Sequence, residues 1–112
     1  MLKQVETLTD TEPLSLKMIT KTGNIINVTT NDFIVTIKEK TITIPNTDIS
    51  TICFTKIRFQ SEATLTVTNT NNQQLIFKFN VKKKEVPTTL DILTQIYSNK
   101  FSIIKKQTNH TT

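Results

Sequence analysis

The chain has 112 residues but one glycine, one cysteine, one histidine and one arginine, and each scarcity removes a class of chemistry. A lone glycine, Gly23, cannot build a loop whose successive amides wrap a phosphate, so a phosphate loop is excluded. A lone cysteine, Cys53, excludes an internal disulfide, and its strand context reads as a small buried thiol. As a nucleophile it would need a base, and the one histidine, His110, stands at the end of the chain. The one arginine, Arg58, leaves almost nothing for bidentate reading of bases. No apolar run approaches the roughly 20 residues of a spanning helix, and Met1 to Glu6 lacks the apolar core of a secretion signal. A cytoplasmic protein is the expectation.

Acidic residues offer no catalytic pair either. Asp32, Asp48, Glu62 and Asp91 each fall at an expected turn or helix start, where capping and turn chemistry account for them. No metal-ligand cluster or cofactor motif emerges, so neither an enzyme nor a cofactor is expected.

What the chain does have is threonine and asparagine in place of part of the usual apolar content, which is 36%. Threonine is β-branched yet polar, so threonine-rich strands suit a sheet with one wet face. At this length a single domain is expected, burying about two-thirds of its unfolded surface. Heavy use of Lys, Ile, Asn and Thr suggests an AT-rich genome and is compatible with a mobile element. The expected organisation is an arm over 1–13, one domain over 14–106 and a tail over 107–112.

The hydrophobic period changes at Pro87. From Leu14 to Val81 apolar residues recur at every second position, as in Phe33, Val35 and Ile37, which predicts strands. Seven are expected: 15–21, 25–29, 33–38, 41–44, 49–59, 64–69 and 74–81. Gly23 and Asn71-Asn72 mark turns that need left-handed backbone, and the long fifth strand has room for a bend or bulge. Beyond Pro87 the spacing turns helical, with Val86, Leu90, Leu93, Tyr97 and Phe101 on one stripe. That helix is expected to start at a threonine cap and to end near Ser98-Asn99 or run on to Lys106.

Charge enters at the same place. Residues 1–76 hold seven basic and seven acidic side chains, whereas residues 77–112 hold Lys78, Lys82, Lys83, Lys84, Lys100, Lys105 and Lys106 against Glu85 and Asp91. These seven lysines are the candidate binding patch. A solvated face is the plain reading of such a cluster, and a docking surface for something acidic is the functional one.

The stretch from Thr41 to Phe54 resembles the central motif of bacterial pleckstrin-homology-like (PH-like) domains. There a short strand ends in Ile-Pro, a polar turn holds Asp followed by Ile, and Val or Ile opens the next strand. Ile44-Pro45, Asp48-Ile49 and Ile52 match, and the resemblance covers about residues 15 to 100. It implies a mainly β, partly open barrel of about seven antiparallel strands, plugged at one end by a C-terminal helix. Two departures stand out. Asparagines replace most of the turn glycines, and the first hairpin lacks the basic cluster used for phosphoinositide head groups, since Lys17 and Lys21 have no arginine partner. Specific phosphoinositide binding is therefore not expected.

The reading is a non-catalytic interaction module that meets a protein partner, or a second copy as a homodimer, through a sheet edge or the groove beside the helix. The alternative is weak, non-specific binding of nucleic acid or an anionic surface through the basic C-terminal region.

Overall fold

The computed structural model describes residues 14–57 and 60–106. The arm and tail expected over 1–13 and 107–112, and Arg58, lie outside the described residues.

Two four-stranded sheets face each other. The first is a meander in the order β1-β2-β3-β4, made of β1 (Ser15–Ile19), β2 (Ile25–Thr29), β3 (Asp32–Ile37) and β4 (Lys40–Pro45). Its register aligns the apolar positions into two rows, Leu16–Val28–Phe33–Ile44 and Met18–Ile26–Val35–Ile42. The turn between β1 and β2 places Gly23 at φ +91°, and no atom would meet an added Cβ there. Glycine is needed at that point for its backbone alone. Thr20, itself buried, accepts the Asn24 amide on its hydroxyl at 3.0 Å and so closes the same turn.

The second sheet has the order β7-β6-β5-β8, with β5 (Ile49–Ile57), β6 (Glu62–Asn69), β7 (Gln74–Asn80) and β8 (Phe101–Lys106). Its inward rows are Leu75–Val67–Ile52–Phe101 and Phe77–Leu65–Phe54–Ile103. The bulge expected in β5 lies between Ile49 and Thr51. The Asn69–Gln73 turn puts Asn72 at φ 66°, while the Asn69 Oδ1 accepts the amides of Asn71 and Gln73 at 2.8 and 2.9 Å. Asparagine does here what glycine does elsewhere.

Helix α1 (Val86–Tyr97) closes one end. Leu93 is fully buried and Tyr97 is 3% exposed, while Leu90, Val86 and Ile96 pack against the same core. The expected threonine cap is not used: the N-terminal boundary falls at Glu85, without a side-chain cap bond. The arrangement is mainly β, a partly open PH-like barrel with a single helix near its C-terminal end.

The main departure from expectation is β8. Phe101 does not extend the helical stripe. The helix stops at Tyr97, where Ser98 turns to φ 52° with its amide still donating to the Thr94 carbonyl. A short 3₁₀ turn over Ser98–Lys100 follows, and then six residues run parallel to β5. Phe101 sits four residues after Tyr97, so it fits a helical stripe as well as a strand. Phe101, Ile103 and Ile104 favour a strand intrinsically, and β5 supplies unpaired backbone groups for them to meet.

Exposure rises toward the sheet edges. Ile52 and Phe54 in the middle of their rows are buried, yet Ile103 at the end of the Phe54 row is 42% exposed. Ile42, on the edge strand β4, is 49% exposed for the same reason. Cys53 also departs from expectation. It shares β5 with inward Ile52 and Phe54, so alternation turns it outward, half-buried, with Sγ 3.8 Å from the Thr55 hydroxyl.

Candidate functional site

The outward face of the second sheet is a threonine field. Across the strands its rows read Ile76–Thr66–Cys53–Ser102 and Lys78–Thr64–Thr55–Ile104. Ile76 and Ile104, 59% and 42% exposed, flank it at the two edge strands. Beside β7, a cleft of about 450 Å³ opens toward the β1–β2 turn, lined by Thr20, Lys21, Asn24, Ile76, Phe77 and Lys78. There the Lys21 amide donates to the Lys78 carbonyl at 2.9 Å, and the Lys21 ammonium meets Glu62 Oε1 at 3.0 Å. That hydrogen bond, aided by the lysine charge, holds the Glu62 carboxyl below its ordinary pKa.

The seven candidate lysines do not form one patch. Lys78 stands exposed on β7, and Lys82, Lys83 and Lys84 stand exposed on the corner between β7 and α1. Lys105 lies on β8 at the opposite edge of the sheet, with two strands between. The intervening strands put about 14 Å between the two edges, each step being about 4.8 Å.

Lys100 is already engaged inside the fold. Its Nζ donates to the Asn46 carbonyl at 3.1 Å. Asn46 is a junction, because its amide donates to the Asn31 carbonyl at 2.8 Å and its Nδ2 to the Thr29 carbonyl at 2.9 Å. Its Oδ1 accepts the Tyr97 hydroxyl at 2.8 Å. One side chain in the β4–β5 connection therefore ties the first sheet to the end of the helix. Burial raises the pKa of the Tyr97 phenol well above its ordinary value, and the Asp32 charge adds to the shift.

One residue the lysine cluster overlooked is Lys56. On β5 it continues the inward positions of Ile52 and Phe54, and the parallel register sets it beside Lys105. Like charges side by side on neighbouring strands repel. Lys56 Nζ donates to the Ile57 carbonyl at 3.1 Å and also to the Gln60 carbonyl, so neutral oxygens hold it. The one ion pair among the described residues is Lys21–Glu62; Glu62 adjoins Ala63, which pairs with Lys56, but alternation turns it to the opposite face. A lysine placed where a strand's apolar alternation should continue was the available sequence signal. Its partner could not be foreseen without β8.

Among the described residues no group of three or more His, Cys, Asp or Glu side chains could hold a metal ion. No helix there is long and apolar enough to cross a membrane.

Neither a protein-family model nor a curated relative matches the sequence. A similar solved structure is that of the Spt16D Pob3N heterodimer, with TM-score 0.58 and 10% sequence identity. The match covers 88% of this chain and 54% of the matched chain of that structure, so this chain spans about half the length of the chain it resembles. At that identity the likeness is one of fold, and the fold it supports is PH-like.

Proposed function

We propose that this chain is a non-catalytic protein-interaction module that works through the edges of its second sheet. The observation that carries this reading is the sheet order β7-β6-β5-β8, whose two end strands each keep an isoleucine exposed on the outward face. An edge strand offers a row of backbone donors and acceptors to another chain. The similar solved structure is by its name a heterodimer, which is in line with pairing between proteins. The same reading places the protein in a bacterial cytoplasm, from the Ile44-Pro45 and Asp48-Ile49 motif and the composition, and fits an accessory role in a mobile element.

Sedimentation of the purified chain over a wide concentration range, together with capture of partners on the immobilised chain, tests the proposal. Formation of a stoichiometric complex, with another protein or with itself, is expected. A chain that stays monomeric and retains no protein would defeat it.

A second reading rests on Lys82, Lys83 and Lys84, all exposed in one turn with only Glu85 beside them. It is weak binding of nucleic acid or another polyanion, with steep salt dependence. A gel-shift series at low and high salt separates the two readings, since retention of DNA but not of protein would favour this one.

A further inference from the structure

The free edge of β8 is where we infer that the partner binds, as an extended peptide that is apolar along its centre and acidic at one end; the inference rests on the interaction-module reading above. Three observations converge on that edge.

The first is backbone chemistry. Among the described residues β8 pairs with β5 on one side only and ends the sheet. In a parallel ladder alternate residues turn their amide and carbonyl away from the neighbour. Half of the six residues of β8 therefore present both groups to the open side. A six-residue strand offers about 20 Å of ladder to an incoming segment.

The second is apolar surface on both faces of one strand. Ile103 and Ile104 are adjacent, so alternation sends them to opposite faces, and each is 42% exposed. A strand laid against β8 would cover part of both. This asks for small or branched apolar residues at the middle of the partner segment.

The third is charge. Beyond the isoleucines come Lys105 and Lys106, with Lys56 beside Lys105 in the register. No acidic side chain pairs with Lys56 or Lys105 among the described residues. A carboxylate on the added strand at this end would relieve the repulsion between Lys56 and Lys105. A second copy of the chain fits less well, because its own β8 would bring more lysine and no acid to the interface.

Two blocked hexapeptides serve as probes, Thr-Val-Thr-Val-Glu-Glu and its reversal, since the acidic end meets Lys105 in a parallel or an antiparallel addition respectively. Titration of the full chain is followed by amide NMR shifts. One of the two peptides is expected to shift residues 101–106, and its counterpart with Lys for Glu is expected to bind at least tenfold more weakly. Raising salt from about 0.01 M to about 1 M shortens the screening length from about 30 Å to about 3 Å and should weaken binding roughly tenfold. Methylating alternate peptide amides should abolish it.

The double variant Lys105→Glu, Lys106→Glu should reject the acidic peptide and accept the lysine one, with its melting temperature showing that it still folds. The inference is overturned if neither acidic peptide shifts β8, if amide methylation changes nothing, or if the shifts centre on Lys82–Lys84. It is equally overturned if single-stranded oligothymidylate binds β8 while the peptides do not. A protein partner held with unchanged affinity by the double variant would remove this site yet leave the module reading standing. Absence of any protein partner would remove both.

Discussion

Asn46 is the residue whose loss should cost most for its size. Replacing it by alanine deletes the bonds from its Nδ2 to the Thr29 carbonyl and from the Tyr97 hydroxyl to its Oδ1. Each is worth about 1 kcal/mol net. The larger effect is on Tyr97, which is 3% exposed and would keep its hydroxyl without a protein partner. An orphaned buried donor costs about 1–3 kcal/mol. Together Asn46→Ala should destabilise the fold by about 2–4 kcal/mol, or about 10–20 °C in melting temperature for a domain of this size.

Tyr97→Phe removes only the hydroxyl, leaving the half-buried Asn46 carbonyl free to turn to water, and should cost about 1–2 kcal/mol. The double variant should then be less damaged than the sum, with a coupling of about 1 kcal/mol. Urea unfolding of all four proteins, followed by circular dichroism, measures the cycle. Full additivity, or an Asn46→Ala cost below about 0.5 kcal/mol, would refute the claim that this side chain joins the first sheet to the helix.

Leu93 is fully buried as the centre of the helix plug, so Leu93→Ala should cost about 2–5 kcal/mol by the same unfolding assay. Tyr97 has a raised folded pKa against an ordinary value of 10.0, so the unfolded chain loses its phenol proton first. Stability should hold below about pH 10 and fall above it by at most about 1.4 kcal/mol per pH unit, a limb that Tyr97→Phe removes. With one tyrosine and no tryptophan in the chain, tyrosinate absorbance reports this group alone. Gly23→Ala should lose about 1 kcal/mol from backbone strain, with no steric clash for a neighbour to relieve, whereas Gly23→Asn should lose less. Lys21→Met should raise the Glu62 titration midpoint, read by carboxyl NMR, toward the ordinary carboxylate value.

Seven strands were legible because each buries one face, and alternation such as Phe33, Val35, Ile37 records that burial residue by residue. The turns were legible because Gly23 and Asn72 answer a local backbone demand that needs no distant contact. Helix α1 was legible through the same local periodicity as far as Tyr97. Its stop was not. Phe101 and Ile104 fit a helical spacing as well as Phe101 and Ile103 fit a strand alternation, and only the unpaired edge of β5 decides between them.

The candidate site divides along the same line. Sequence by itself determined that the excess charge belongs to the last third of the chain, since charge is a property of composition. It could not say that Lys78 and Lys105 stand at opposite edges of a sheet, that Lys100 is bonded to Asn46, or that Lys56 lies beside Lys105. Those are non-local pairings between residues tens of positions apart. They exist only because β8 returns parallel to β5 and the β4–β5 connection packs against the helix end. Alternation and turn chemistry act within a few residues and are written in the chain. Which strand edge each segment meets is decided by backbone groups that distant parts of the chain leave open to one another.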